Sequence, residues 1–376
     1  MLQNLSWDAA LTQSDDRRFM ALALTLGRRG LGRTWPNPAV GAVIVKDGVI
    51  VGRGWTQPGG RPHAEIEAIR RAGTAARGAT LYVTLEPCSH HGKSPPCADA
   101  VIAAGLSRVV SALEDPNPEV AGMGHARLRA AGISVDVGIG AQEARRDHAG
   151  HIRRMREGRP QVMLKLAVSA DGKAGAAGRR PLAITGEAVR ERVHLLRAQS
   201  DAVMVGIGTV LADDPLLTCR LPGMAACSPL RVVLDSALRL PLASRLAHGA
   251  RETPVWVVAG PAASPEAAEA LQARGVEILG AKASGGRLDL ADVLTLLAAR
   301  GITRLMVEGG PTLAAAFVAA DLVDEANLFQ SSKLVGAAGI DALEGLPLAA
   351  LTQSARLDCI AREPIGVDML AVFERR

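Results

Sequence analysis

The stretch Thr80-Leu81-Tyr82-Val83-Thr84-Leu85-Glu86-Pro87-Cys88 runs on through Ser89 to Pro96 and reaches a second cysteine at Cys97. Residues 80–85 are apolar and β-prone, which predicts a strand. Pro87 closes that strand, and Cys97 opens a helical stretch over 97–104. Upstream, His63-Ala64-Glu65 stands where the Gly/Pro-rich run Pro58 to Pro62 turns into a helix over 64–72. At a helix's first turn, side chains two apart can both face a pocket beyond its N-terminal end. One histidine and two thiolates make a three-ligand zinc set with a fourth position open to water. Glu65 stands beside that set without belonging to it, as a general acid/base does in the H-x-E, then P-C, pattern of zinc deaminases. A helix N-terminus near the cysteines favours their thiolate form. A lone His-Ala-Glu is an ordinary helix start, and His90 or His91 as a fourth ligand would give a closed structural site. The ordered combination is far more specific than its parts.

Working outward, the first 140 residues alternate helical and strand patterns. Asp15 is placed as the cap of a helix reaching about Gly27. Val40–Val45 and Val49–Gly54 flank Asp47-Gly48, a strong hairpin signal. Segments 108–112, 121–131 and 133–137 continue as strand, helix and strand. The fold class is therefore α/β. Residues 141–160 are charged and arginine-rich and end in Gly158-Arg159-Pro160. A domain boundary is expected there, giving domains 1–157 and 158–376. Strand patterns resume at 162–168, 201–205, 231–235, 254–259 and 304–307.

A chain of 376 residues fits two domains. The formal net charge of +5 is spread along the sequence and aromatic residues are 2%, so nothing marks a nucleic-acid surface. The five cysteines are an odd, irregular set, a poor disulfide framework but one whose close pair, Cys88 and Cys97, suits a metal. Met1 to Asp16 lacks a secretory pattern, and no apolar run is long enough to span a membrane. The expectation is a cytoplasmic protein with no nucleic-acid or membrane partner.

In the second half, Gly206-Ile207-Gly208-Thr209 lacks the third glycine of a dinucleotide fingerprint. Leu305-Met306-Val307-Glu308-Gly309-Gly310-Pro311-Thr312-Leu313 is more telling. An apolar strand runs into two glycines and then a proline at a first helical position, where backbone N–H groups can approach phosphate oxygens. The same turn also serves as a plain strand–helix connection.

Taken together, the segment from Thr84 to Cys97, Pro36-Asn37-Pro38-Ala39-Val40-Gly41 and Asp115-Pro116-Asn117-Pro118 resemble the bifunctional riboflavin-biosynthesis deaminase/reductase family. So do Leu164 to Lys173, Leu196-Arg197-Ala198, Thr209 to Pro215, Leu217 to Arg220, Arg231 to Ser236 and the Glu308-Gly309-Gly310 turn. The resemblance runs from about residue 15 nearly to the C-terminus.

It implies a cytidine-deaminase-like α/β/α domain followed by a dihydrofolate-reductase-like α/β domain. The implied substrate is a small phosphorylated pyrimidine, 2,5-diamino-6-ribosylamino-4(3H)-pyrimidinone 5′-phosphate. Zn2+ would be held by His63, Cys88 and Cys97, with Glu65 catalytic, Asn37 on the ring and Lys93 on the phosphate or ribose. NADPH would lie against Val168, Thr209, Asp213, Leu217, Ser236 and the turn Gly310, Pro311, Thr312, Leu313, Ala314, Ala315 and Ala316. Lys165, Arg197, Arg220 and Glu308 would hold the substrate of the reduction, arginines because their planar fork pairs with phosphate. A homo-oligomer is implied as well. One position departs: the family's Trp-Ile-Thr is here Ala183-Ile184-Thr185, giving up a large packing surface against the cofactor. Alternatives are a deaminase whose second domain no longer reduces, a nucleic-acid base deaminase, and a zinc-stabilised binding module in which Glu65 is dispensable.

Overall fold

The computed structural model describes residues 5–90, 95–118, 120–179 and 182–376. It divides into two compact units, Met1–Gly158 and Arg159–Arg376. No helix among the described residues is long and apolar enough to cross a membrane.

The first unit runs α1 (Leu5–Gly27), β1 (Gly41–Lys46), β2 (Val49–Trp55), α2 (Ala64–Ala72), β3 (Thr80–Val83), α3 (Cys97–Ala103), β4 (Arg108–Ser111), α4 (Met123–Ala130), β5 (Ser134–Val137), α5 (Ala141–Asp147) and α6 (Ala149–Glu157). Its sheet has the order β2-β1-β3-β4-β5. β1 is antiparallel to β2 and β3, while β3, β4 and β5 run parallel. The expected hairpin forms because Asp47 (φ 49°) and Gly48 (φ 76°) both take the left-handed conformation of a two-residue turn. α2 lies directly on β2: a Cβ at Gly52 or Gly54 would come within 2.3 Å of the Ala68 carbonyl or 2.4 Å of the Ala64 carbonyl. Those two glycines therefore set how close the helix start, with His63 and Glu65, comes to the sheet.

The expected cap at Asp15 is corrected by the structure, because α1 begins ten residues earlier, at Leu5. Asp15 instead pairs with Arg18 at 3.3 Å along the helix. Its neighbour Asp16 points inward, accepting from the Tyr82 hydroxyl at 2.7 Å and from Arg108 Nη1 and Nη2 at 2.9 and 2.8 Å. Local capping preference gave way to partners on β3 and β4.

The second unit runs β6 (Gln161–Val168), β7 (Lys173–Gly175), α7 (Glu187–Ala198), β8 (Ala202–Gly206), α8 (Ile207–Asp213), β9 (Leu230–Leu234), α9 (Arg245–His248), β10 (Val255–Ala259), α10 (Pro265–Ala273) and β11 (Glu277–Gly280). The short strands β12 (Ala283–Ser284) and β13 (Arg287–Leu288) follow, then α11 (Leu290–Ala299), β14 (Arg304–Val307), α12 (Pro311–Ala319), β15 (Glu325–Gln330), β16 (Ile340–Asp341), α13 (Ala349–Thr352), β17 (Leu357–Ile365) and β18 (Asp368–Arg375). The main sheet has the order β11-β10-β9-β8-β14-β6-β15-β18-β17. Its first seven strands are parallel, and β18 and β17 add an antiparallel edge.

Strands β9 and β10 are buried along their whole length, as parallel strands covered on both faces are. One consequence is Arg231, 1% exposed in β9. Its guanidinium donates to the carbonyls of Gly249 (2.8 Å), Thr253 and Leu216 (3.4 Å), and burial pushes its pKa down to about 10. The sequence pattern located β6, β8, β9, β10 and β14 and passed over β11, β15, β17 and β18.

Candidate active sites

His63 is the residue before α2 and makes no side-chain capping bond there, so its ring is available to the pocket. Its Nδ1 lies 3.2 Å from Cys97 Sγ and 3.7 Å from Cys88 Sγ. Donor atoms of the three residues lie within 4.8 Å of one another. A tetrahedral zinc with N and S ligands has N···S edges of about 3.5 Å, so this donor set fits that ion. The Cys97 backbone N–H donates to Cys88 Sγ at 3.3 Å, a helix-start amide supporting a thiolate. Cys88 is pushed down to about 4, chiefly by its hydrogen bond with Cys97 and, against its burial, by His63. Cys97 is pushed up, mainly by the same sharing with Cys88 and by burial.

Glu65 is 3% exposed. Burial pushes its carboxyl up to about 7, with the charge on His63 opposing the rise. A carboxyl poised near neutrality is one that can both take and give a proton. Asn37 donates through Nδ2 to the Gly60 carbonyl at 2.7 Å and lies 3.4 Å from His63 Nε2. Gly60, at φ 84°, leaves the space that amide needs, since a Cβ there would sit 2.7 Å from Asn37 Nδ2. Lys93 and His91 lie outside the described residues.

His63, Glu65 and Cys88 open onto a pocket of about 200 Å³. Its walls include Asn37, Arg61, Asp115 and Asn117, and from α6 His151, Arg154 and Met155. The helix residues were missed in the sequence, where the charged 141–160 segment read as a boundary. Their i, i+3, i+4 spacing on one helix face was the available signal. Glu86 has no role legible in the sequence. Its carboxylate accepts the backbone N–H groups of Asp115 (3.0 Å), Gly122 (2.9 Å) and His125 (3.1 Å), and so shapes the loop that brings Asp115 and Asn117 to the pocket.

In the second unit, sheet order collects residues that are far apart in the chain. β9, β8, β14 and β6 are parallel neighbours, and Ser236, Thr209, the Glu308–Gly310 turn and Val168 lie at or just past their C-terminal ends. Ligands of open parallel sheets bind along that edge. Gly310 precedes α12, Pro311 takes its first position, and the Gly310 N–H donates to Thr209 Oγ1 at 3.1 Å. Thr312 Oγ1 donates to the Glu344 carboxylate. Val168 and Ala314 are fully buried and Leu217 and Ala315 nearly so, which leaves their side chains to packing. Asp213 and Arg220 are exposed, and Ser236 Oγ donates to the Gly286 carbonyl at 2.9 Å.

Glu308, Arg197 and Lys165 do come together. Arg197 grips Glu308 with two bonds of 2.8 Å, and Lys165 Nζ stands 3.7 Å from Glu308 Oε1. Burial raises the Glu308 carboxyl, but Arg197 and Lys165 outweigh it and hold it below the ordinary value. Ala183 is exposed, and its carbonyl lies 3.4 Å from Lys333 Nζ.

The family model for the cytidine and deoxycytidylate deaminase zinc-binding region matches residues 13–113, and that for the RibD C-terminal domain matches residues 160–371. The chain is 45% identical to the riboflavin biosynthesis protein RibD of Escherichia coli (strain K12), covering 88% of this chain and 92% of that one. It is 39% identical to RibD of Aquifex aeolicus (strain VF5), over 96% and 98% of the two chains. Acinetobacter baumannii RibD superposes with a TM-score of 0.85 at 37% identity, covering 97% of this chain and 99% of that one. The diaminohydroxyphosphoribosylaminopyrimidine deaminase/5-amino-6-(5-phosphoribosylamino)uracil reductase of Thermotoga maritima gives 0.84 at 35%, covering 97% and 100%. The two matched domains are those of a zinc-binding deaminase and of a reductase that uses NADPH. The chain belongs to the RibD family of bifunctional riboflavin-biosynthesis deaminase/reductases.

Proposed function

We propose that the first unit removes the ring 2-amino group of 2,5-diamino-6-ribosylamino-4(3H)-pyrimidinone 5′-phosphate as ammonia. The second unit then reduces the ribosyl group to ribityl, giving 5-amino-6-(5-phosphoribitylamino)uracil. The observation that carries this reading is that His63, Cys88 and Cys97 bring their donor atoms together beside the pocket that the buried Glu65 lines.

His63, Cys88 and Cys97 are the residues that would hold zinc, which lowers the pKa of water and so supplies a nucleophile at neutral pH. Glu65 takes one proton from the attacking water and gives it to the ring nitrogen, then takes the second from the resulting hydroxyl and gives it to the leaving amine, which departs as ammonia. Asn37 orients the ring, and Lys93 serves the phosphate or ribose. In the second unit bound NADPH would supply the hydride for the reduction at C1′ that leaves the sugar as an open ribityl chain. The Gly310–Ala316 turn would line the cofactor at the start of α12, together with Val168, Thr209, Asp213, Leu217 and Ser236. Arg197, Arg220 and Glu308 place the substrate, and Lys165 holds a proton near the reacting carbon. A homo-oligomer, which the family resemblance implies, and a cytoplasmic location belong to the same proposal.

The test follows ammonia release and NADPH consumption separately on that substrate, with zinc quantified in the same sample. Both activities at about one zinc per chain are expected. Ammonia without NADPH oxidation would overturn the second half of the reading.

A further inference from the structure

The segment that carries Arg220 belongs to no regular ladder, and α7 is what holds it. Leu217 takes a left-handed conformation (φ 56°) that a branched side chain pays to adopt. The Thr218 carbonyl beyond it accepts from Arg197 Nη1 at 3.1 Å. Cys219 N–H donates to Ser228 Oγ at 3.1 Å. Arg220 N–H has one acceptor among the described residues, His194 Nδ1, at 3.3 Å. His194 and Arg197 stand three apart on one face of α7 and grip the same short stretch.

His194 Nδ1 also lies 3.1 Å from the Thr218 carbonyl, and one nitrogen cannot donate to that oxygen while accepting from an N–H. Partner accounting decides between them. Thr218 already has its donor in Arg197, whereas His194 Nδ1 is the protein acceptor that the Arg220 N–H has among the described residues. The surroundings agree. Burial, then Arg197 and Arg220, lower the basicity of His194, against the weaker opposing pull of the Thr218 carbonyl and Glu308. The tautomer that serves the Arg220 N–H carries its proton on Nε2 and leaves a lone pair on Nδ1.

We propose that His194 is a positioning residue of the reductase site, whose Nδ1 accepts the Arg220 backbone N–H and thereby fixes the base from which the Arg220 guanidinium reaches the substrate phosphate. This rests on Arg220 being a phosphate contact, as argued above. His194 touches no reacting atom in this account. It converts a strained, ladder-free segment into a fixed mount, which reduces the ordering the substrate must otherwise impose on binding.

The experiment uses the full chain and the deaminated ribosyl phosphate, with its dephosphorylated counterpart as a second substrate. His194→Phe keeps a ring but removes the acceptor. It should raise KM for the phosphorylated substrate by about tenfold, with kcat and the KM for NADPH little changed. The dephosphorylated substrate should not distinguish the variant from the unaltered protein. His194→Asn places an amide oxygen near the Nδ1 position and should recover most of the affinity, and His194→Gln, which displaces the acceptor, should not. Ammonia release reports that the chain has folded, and the Asn and Gln variants carry the comparison if Phe is not accommodated. An unchanged KM in His194→Phe, a loss equal for both substrates, or a fall in kcat at constant KM would each overturn the proposal. A failure of the unaltered protein to oxidise NADPH would instead overturn the reductase reading on which it stands.

Discussion

Arg197 and Glu308 meet as a fork on a carboxylate: Nε to Oε2 and Nη2 to Oε1, both at 2.8 Å, with both side chains about nine-tenths buried. The pair ties the end of α7 to the end of β14 and fixes both residues beside Lys165. Replacing Arg197 by Met leaves Glu308 buried with only Lys165 at 3.7 Å. The variant should lose about 3 kcal/mol of stability in the second unit and its NADPH consumption, while still releasing ammonia. Thermal unfolding and the two activity readouts check this together.

Glu65→Gln keeps the shape of the side chain and removes its proton chemistry. Zinc content should stay at about one per chain, while ammonia release falls by about a thousandfold. Unchanged turnover at full zinc content would remove Glu65 from the mechanism.

Chelation separates the two units. Stripping zinc, or replacing Cys88 by Ser, should abolish ammonia release, because two remaining ligands hold the ion poorly. NADPH oxidation on substrate that is already deaminated should survive the same treatment.

Asp16 supplies a pH signature. Burial raises its carboxyl, but the hydrogen bonds from Arg108 and Tyr82 outweigh burial and leave it below the ordinary value of 3.8. A depressed carboxyl contributes stability that is present above its unfolded pKa and is lost as pH falls through the folded one. Asp16→Asn should therefore be destabilised by about 2 kcal/mol at neutral pH. The gap to the unaltered protein should close as pH drops below 3.8. Denaturant titrations across that range would show it, and a gap independent of pH would contradict it.

Ala183 stands where the family resemblance implies a tryptophan against the cofactor. The position is exposed, so a larger side chain can be accommodated. Ala183→Trp should lower KM for NADPH by about fivefold and leave ammonia release untouched. An unchanged or higher KM would mean that the cofactor reaches this chain by other contacts.

What the sequence determined by itself was local and chemical. The donor types at 63, 88 and 97, the acid at 65, the Asp47-Gly48 turn and the long apolar strands are all written in neighbouring residues, because ligand chemistry, turn geometry and burial on both faces each leave a short-range pattern. β15 and β17 left none. The first opens Glu325-Ala326-Asn327, and the second is an exposed edge containing Pro364, so neither alternates nor runs apolar. Tertiary structure alone decided that Asp16 is a buried partner rather than a cap, and that α6 walls the first pocket. It also gathered Arg197, Glu308 and Lys165 into one cluster from three separate elements. Strand order and helix docking follow from the burial of whole faces, and which distant side chains meet there depends on every element at once.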